Sequence, residues 1–240
     1  MKIFGILDLS TIDYPKKCAS VIFMSGCNME CGYCHNYKHM LEREVEINCD
    51  EIFDKIDTFF ADGIVISGGE PTLQPDELYK LCRIIKKRNY PIKLDTNGSN
   101  LDIVIKLINE KLVDYIAIDV KCDFNRYGII ANYADGEHIR KNVINIINQC
   151  NKSNVFVECR TTFVPKLMDE NDIISIVKVI DGCNLYAIQE FDNEHVWKKE
   201  YEGIRKPKLN ELIKLGNIAK ENLKKTENVI IRTSNGIYTV

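Results

Sequence analysis

The sequence predicts an α/β fold built around a parallel sheet, and three observations carry that expectation. Short β-branched runs alternate with amphipathic helical stretches from Ala19 to Ile188, the pattern of consecutive βαβ units. The 240 residues are 45% hydrophobic, enough for one large core without division. Three cysteines, Cys27, Cys31 and Cys34, fall within eight residues directly after the first core strand, and strand-end loops are where parallel barrels collect their chemistry. Alternation alone fits a flat doubly wound sheet as well as a curled one.

Taken in order, Lys2 to Leu9 reads as a short strand, and Ser10 to Pro15 as a turn into the first core strand, Ala19–Met24. After the cysteine loop, apolar residues at Ile52, Phe53, Ile56, Phe59 and Phe60 have helical spacing, so a helix is expected from about Asp50. Strands follow at Gly63–Ser67, Pro91–Leu94, Asp114–Ile118, Val155–Cys159 and Leu185–Ile188. Helices separate them at Pro75–Arg88, Leu101–Lys111, Glu137–Gln149 and Glu170–Ile180. That makes six strands within a core of about residues 19–190. Asp192 to Pro207 holds the only tryptophan, several charges and no clear period, and reads as a surface loop or lid. The chain closes with a helix at Leu209–Leu223 and a hairpin or edge strand at Val229–Arg232 and Asn235–Tyr238, an end segment of about residues 208–240. One domain, 1–240, is expected.

The net charge is −3 with lysine and arginine spread throughout, so no basic stripe argues for nucleic acid. The apolar N-terminal stretch is too short for a signal peptide, and nowhere do about 18 apolar residues run together as a membrane span requires. A cytoplasmic protein is expected, away from membranes. Seven further cysteines (Cys18, Cys49, Cys82, Cys122, Cys150, Cys159, Cys183) are scattered singly, which suits a reducing compartment and small core residues rather than a disulfide framework.

Cys27-x3-Cys31-x2-Cys34 can place three thiolates on one iron–sulfur cube and leave its fourth iron without a protein ligand. A structural zinc site would want a fourth ligand, which His35 could supply, but the spacing does not match the common zinc patterns. The four histidines, His35, His39, His138 and His195, form no recognisable triad with a nucleophile.

The cysteine motif, with aromatic Tyr33 before its third cysteine, resembles the cluster motif of the radical S-adenosylmethionine (radical SAM) enzymes. The continuation His35-Asn36 is similar to the glycyl-radical-enzyme activases, although Tyr37 replaces their usual proline. The nearest resemblance is to the activating proteins of anaerobic ribonucleoside-triphosphate reductase. These carry a D-Y/F-P-G-K turn where this chain has Asp13-Tyr14-Pro15-Lys16-Lys17; a lysine suits most turn positions that do not need a positive φ. The resemblance implies a partial (β/α)6 TIM-like barrel with short N- and C-terminal extensions. It also implies one [4Fe–4S] cluster held by Cys27, Cys31 and Cys34, together with bound S-adenosylmethionine. No second set of clustered cysteines follows Cys34, so a single cluster is expected.

Further roles come from the same source. Tyr33 counts among the cofactor-binding residues. Ser67-Gly68-Gly69-Glu70-Pro71 resembles the segment that holds the amino end of S-adenosylmethionine: Gly68 and Gly69 let the backbone approach and Glu70 accepts from the ammonium. As a lone motif, Gly-Gly is an ordinary turn. Asp95-Thr96-Asn97-Gly98 and Asp119-Val120-Lys121 match activase segments whose oxygens can hold a monovalent cation beside the methionine carboxylate while the lysine faces the bound molecule. A plain ion pair is the other reading of Asp119 and Lys121. Arg160 suits a carboxylate, or else a salt bridge to Glu158 or another strand-end acid. Gln189 is a candidate for the adenine or ribose.

The implied reaction is one-electron reductive cleavage of S-adenosylmethionine to a 5′-deoxyadenosyl radical, which removes a hydrogen atom from a glycine of a partner enzyme. No catalytic side chain is needed beyond cluster and cofactor. The implied partners are a glycyl-radical enzyme, anaerobic ribonucleotide reductase by resemblance, and an electron donor such as flavodoxin or ferredoxin. A compact radical SAM enzyme acting on a small molecule, like the 7-carboxy-7-deazaguanine synthases, is the alternative enzyme. A non-catalytic metal-binding module is the alternative outside enzymes.

Overall fold

The computed structural model describes every residue, Met1–Val240. Its strands are β1 (Lys2–Ser10), β2 (Ala19–Met24), β3 (Val45–Glu46), β4 (Gly63–Gly68), β5 (Ile92–Thr96), β6 (Tyr115–Asp119), β7 (Phe156–Phe163), β8 (Leu185–Glu190), β9 (Asn228–Thr233) and β10 (Gly236–Thr239). All ten form one sheet in the order β10-β9-β8-β7-β6-β5-β4-β2-β1-β3. The six expected core strands are β2 and β4 through β8, each parallel to the next. The end segment adds more than an edge: β9 lies parallel to β8 as a seventh strand of the series, and β10 folds back on it as a hairpin. Strands β10 and β3 end the sheet and do not pair with each other, so the barrel stays open.

Nine helices accompany the strands: α1 (Tyr37–Arg43), α2 (Ile52–Lys55), α3 (Pro75–Lys87), α4 (Leu101–Asn109), α5 (Tyr127–Ile130), α6 (Gly136–Ser153), α7 (Glu170–Ile180), α8 (Lys199–Glu202) and α9 (Leu209–Asn222). None is long and apolar enough to cross a membrane. Helix α7 starts on a capping box, with Asp169 accepting from the backbone of Asn171 and Asp172 and Asp172 reaching back.

The period of two along each strand divides the sheet's faces sharply. Outward residues such as Ile64, Ile66, Ile92, Leu94, Ile116, Ile118, Val157, Tyr186 and Ile188 are buried with the apolar faces of the helices in a continuous core. The register aligns Val65, Lys93, Tyr115 and Phe156 across the inner face near the foot, Asp95, Ala117, Glu158 and Leu185 in the next row, and Asp119, Arg160 and Ala187 above them. A small apolar plug of Tyr14, Ala19, Val21, Val65, Tyr115 and Ala117 fills the foot. The inner face beyond it is charged, and that polarity points towards the strand ends.

Two local expectations change. The helix from Asp50 to Phe60 is only a short turn: Cys49–Glu51 is a 3-10 turn, α2 stops at Lys55, and Phe59 and Phe60 are 82% and 70% exposed. Asp57 breaks the helix. Its Oδ1 accepts from the Phe59 backbone N–H at 2.9 Å, while its own N–H donates to Asp8 Oδ1 at 3.0 Å, so the chain is drawn across the foot of β1.

The second change is at the turn before β2. The Lys17 N–H donates to the Tyr14 carbonyl at 3.0 Å with Pro15 at the first central position, and Lys16 at the second has φ of +65°. This turn does need a positive φ, and a lysine occupies the place where glycine is favoured. A left-handed residue with a Cβ costs about 1–2 kcal/mol, partly offset by the extra unfolded-state freedom of glycine. Lys16→Gly is therefore expected to stabilise the fold by about 0.5–1 kcal/mol, seen as a higher denaturant midpoint at unchanged slope. A lower midpoint would show that Lys16 contributes something other than strain.

Candidate functional site

The chain from Ser25 to Asn36 leaves β2 and reaches α1 without regular structure, so neighbouring segments must hold its shape. The Cys34 N–H donates to the Cys31 carbonyl at 2.9 Å, the Glu30 N–H donates to the Ala131 carbonyl at 2.9 Å, and Asn28 donates to Ser99 Oγ at 2.9 Å. All three cysteines of the motif are free thiols, and all three line one cavity of about 300 Å³. Burial pushes the Cys27 thiol up to about 11 and that of Cys31 up to about 12, with the Lys121 ammonium pulling both down. Metal binding here must therefore release protons.

The donor set fits an iron–sulfur cluster. Three soft sulfurs stand around one space, and no group of three or more His, Cys, Asp or Glu side chains is arranged to hold a single metal ion. A cubane takes each sulfur on a different iron, so its ligands surround it rather than converge on one point.

Counting the strand-end junctions of the parallel series from β2, the second follows β4 and clasps this loop, and the third follows β5. Gly68 has φ of +122°, and a Cβ there would overlap the backbone of Met24; a Cβ on Gly69 would overlap the Gly26 carbonyl. The Glu70 N–H donates to the Gly26 carbonyl at 2.7 Å and the Asn36 side chain donates to the Gly68 carbonyl at 3.0 Å. Gly69 lines the cavity, whereas Gly68 and Glu70 stand behind it. Glu70 does not present its carboxylate to the cavity as the sequence led us to expect. It is fully buried, with Oε1 accepting from the Thr72 N–H (3.2 Å), Thr72 Oγ1 (2.5 Å) and Thr96 Oγ1 (2.8 Å), and Oε2 accepting from the Asn97 N–H (2.6 Å). Burial raises its carboxyl above the usual range, opposed by those donors, that of Asn97 foremost. Its position ties the second junction to the third.

Asp95, Thr96, Asn97, Asp119, Lys121 and Gln189 all reach the cavity, as does Tyr33. Thr96 and Asn97 are held from behind, Thr96 by Glu70 and Asn97 by donating to Asn28 at 2.8 Å. Asp119 accepts from Arg160 Nε at 2.7 Å and from Lys121 Nζ at 3.1 Å. Burial alone would raise the Asp119 carboxyl, but Arg160 and Lys121 hold it well below the usual range. Burial likewise works against the Lys121 ammonium, and Asp119 and Cys31 more than restore it. Asp95 accepts from Ser67 Oγ at 2.9 Å, pairs with Lys93, and lies 3.3 Å from Arg160 Nη1.

Arg160 thus pairs with Asp119 and Asp95 and not with Glu158, whose partners are Tyr115 (2.7 Å) and Arg232 Nη1 (2.5 Å). It lines an adjoining cavity of about 450 Å³, with Lys93, Arg232 and Asp13, which shares Gln189, Glu190 and Asp192 with the first.

Sequence reasoning missed several wall residues. Ser67, Thr162, Glu190, Phe191 and Asp192 line the first cavity, and the strand-end rule that singled out Gln189 covers all of them. Arg232 was missed because its strand was not counted in the parallel series. Asp192–Pro207 is no free surface loop either: it carries α8 and lies against the cysteine loop, with Trp197 Nε1 donating to the Cys31 carbonyl at 2.9 Å.

Comparison with known proteins agrees with this geometry. A family model described as the radical SAM superfamily matches residues 21–180. Over 237 residues the chain is 52% identical to a Methanocaldococcus jannaschii protein named for glycyl-radical enzyme activation, with 98% of each chain covered. It is 27% identical over 212 residues to the pyruvate formate-lyase-activating enzyme of Streptococcus mutans, covering 78% of this chain and 79% of that one. Among solved structures, a radical SAM methyltransferase from Sphaerobacter thermophilus superposes with a TM-score of 0.67 at 14% identity, covering 93% of this chain and 68% of that one, a likeness of fold alone.

The role of Glu70 as a link between loops has a direct consequence. Glu70→Gln turns one acceptor into an N–H group facing the Asn97 N–H, and should cost about 2–3 kcal/mol, the worth of a hydrogen bond to a charged acceptor, in chemical denaturation of the metal-free protein. An unchanged stability would mean that the carboxyl is held protonated, with glutamine its near equivalent.

Proposed function

Because the chain belongs to the radical SAM superfamily, we propose that it is a glycyl-radical-enzyme activating enzyme whose partner is an anaerobic ribonucleoside-triphosphate reductase. The observation that carries this reading is the convergence of Cys27, Cys31 and Cys34 on a cavity whose remaining wall is oxygen-rich and bears one lysine. The 52% identical relative supports the activase class by its name. The choice of reductase rests on the Asp13-Tyr14-Pro15 turn, whereas the Cys34-His35-Asn36 continuation supports the activase class.

In this reading Cys27, Cys31 and Cys34 hold one [4Fe–4S] cluster. With S-adenosylmethionine bound, cluster and cofactor together supply reductive cleavage of the sulfonium and an adenosyl radical able to abstract hydrogen. The chain's own residues bind, orient and exclude water. Gly69 lets the backbone come close, and Gly68 and Glu70 fix that backbone from behind. Lys121, kept a cation at the wall by Asp119, is the group for a carboxylate, and Arg160 keeps Asp119 ionised and in place beside it. Asp95, Thr96 and Asn97 line the opposite loop, and Gln189 and Tyr33 border the space left for the nucleoside. A monovalent cation at Asp119 would take the oxygen now facing Lys121 and free that ammonium for the methionine carboxylate. The adjoining cavity is the room left for the partner's glycine loop. A flavodoxin or ferredoxin would supply the electron.

Anaerobic reconstitution is expected to yield about four irons per chain. With a reductant, S-adenosylmethionine and the reductase, a glycyl doublet should appear by electron paramagnetic resonance. Cys31→Ala should abolish both cofactor cleavage and the doublet. Release of 5′-deoxyadenosine only with a small-molecule substrate, and never a doublet, would reject the activase. One zinc per chain would reject the radical enzyme altogether.

A further inference from the structure

The cysteine loop makes few bonds within itself, and around Cys31 its restraints come from far along the chain. Besides the bond from Trp197, the Lys198 N–H donates to the Gly32 carbonyl at 3.3 Å. The ring of Tyr201 lies so close over Gly32 that a Cβ there would overlap it. The Trp197 ring stacks on Tyr37 with centroids 4.1 Å apart and planes 21° from parallel. His35 Nε2 meets the Asp192 carbonyl at 3.0 Å.

This strap is itself secured. Lys206 pairs with Asp192 at 3.0 Å and with Glu194 at 2.9 Å, the Asn193 side chain donates to the Glu202 carbonyl at 3.1 Å, and Val196, Tyr201 and Ile204 are buried. All of these contacts are between protein groups, and none uses a cysteine sulfur. The Cys31 carbonyl accepts from both Trp197 and Cys34, so the strap acts on the same peptide group that sets the turn between two of the sulfurs.

We propose that Trp197 and Tyr201 are positioning residues, holding Cys31 and Gly32 in the shape that presents the sulfurs to the cavity before metal arrives. The proposal rests on the cluster reading given above, but the strap can be tested without the cluster. Fixing the loop in the metal-free chain removes an ordering cost that binding would otherwise meet.

The test compares wild type with Trp197→Phe, which keeps a ring to stack on Tyr37 and loses only the donor. In the metal-free protein, alkylation at Cys31, followed by peptide mapping, should become about fivefold faster, the factor carried by one net hydrogen bond, with Cys18 as the unaffected reference. After reconstitution, iron loss to a chelator should accelerate by a similar factor. Equal rates at Cys31 in a folded variant would overturn the proposal. Should the variant fail to fold, the single tryptophan decides in wild type. A docked indole keeps one emission maximum with and without metal, and a red shift in the metal-free protein would overturn the proposal. If wild type never takes up iron, the cluster reading fails while the alkylation comparison still reports on the strap.

Discussion

The carbonyl of Gly26 lies where any side chain on residue 69 would have to go, and this steric constraint sets the rest of the site. Because both Gly68 and Gly69 lack a Cβ, the loop after β4 can press onto the loop after β2 and donate the Glu70 N–H to Gly26. Glu70 then carries the alignment forward by accepting from Thr72, Thr96 and Asn97. Three strand-end loops become one rigid floor, with the cysteines at one side. A loop that makes so few bonds within itself could not keep three sulfurs around a cavity alone.

The inner face of the sheet follows a second rule. Lys93, Lys121, Arg160 and Arg232 face Asp95, Asp119 and Glu158, four cations against three carboxylates within the paired network. Charges this deep are held only where each has a partner. The pairs of Arg160 with Asp95 and Asp119 and of Arg232 with Glu158 cross between strands, so the network also fixes how the strand ends lie relative to one another.

Much of this was legible in the sequence because two signals are local. Cysteine spacing is read directly, and the outward strand residues are so largely apolar that β2 and β4 through β8 were placed to within about two residues, except that β7 runs on past Cys159 to Phe163 and takes in Arg160. Function within the wall was harder. Glu70 was read as a ligand group because the motif shows which residue is present and not which way its carboxylate turns, and only the third junction's N–H and hydroxyl groups decide that. For Arg160 the sequence left open a bound carboxylate, Glu158 two residues away on the same strand face, or another strand-end acid, and the structure pairs it with acids of other strands while Glu158 meets Arg232. Phe59 and Phe60 fit a helical period, but Asp57 offered the backbone a competing bond. Lys16 shows the reverse case, a residue held at positive φ by its turn although its type does not favour that conformation. The strap was opaque because its contacts with the cysteine loop join residues more than about 150 positions apart, and no periodic pattern announces them.

The central claim is that three sulfurs hold a cluster with one iron left for S-adenosylmethionine. The most direct measurement is electron paramagnetic resonance of the reconstituted, reduced protein before and after S-adenosylmethionine is added. The account predicts a cubane signal whose shape changes on addition, because the cofactor takes the free iron. A protein without a cubane signal, or with one indifferent to S-adenosylmethionine, would contradict it.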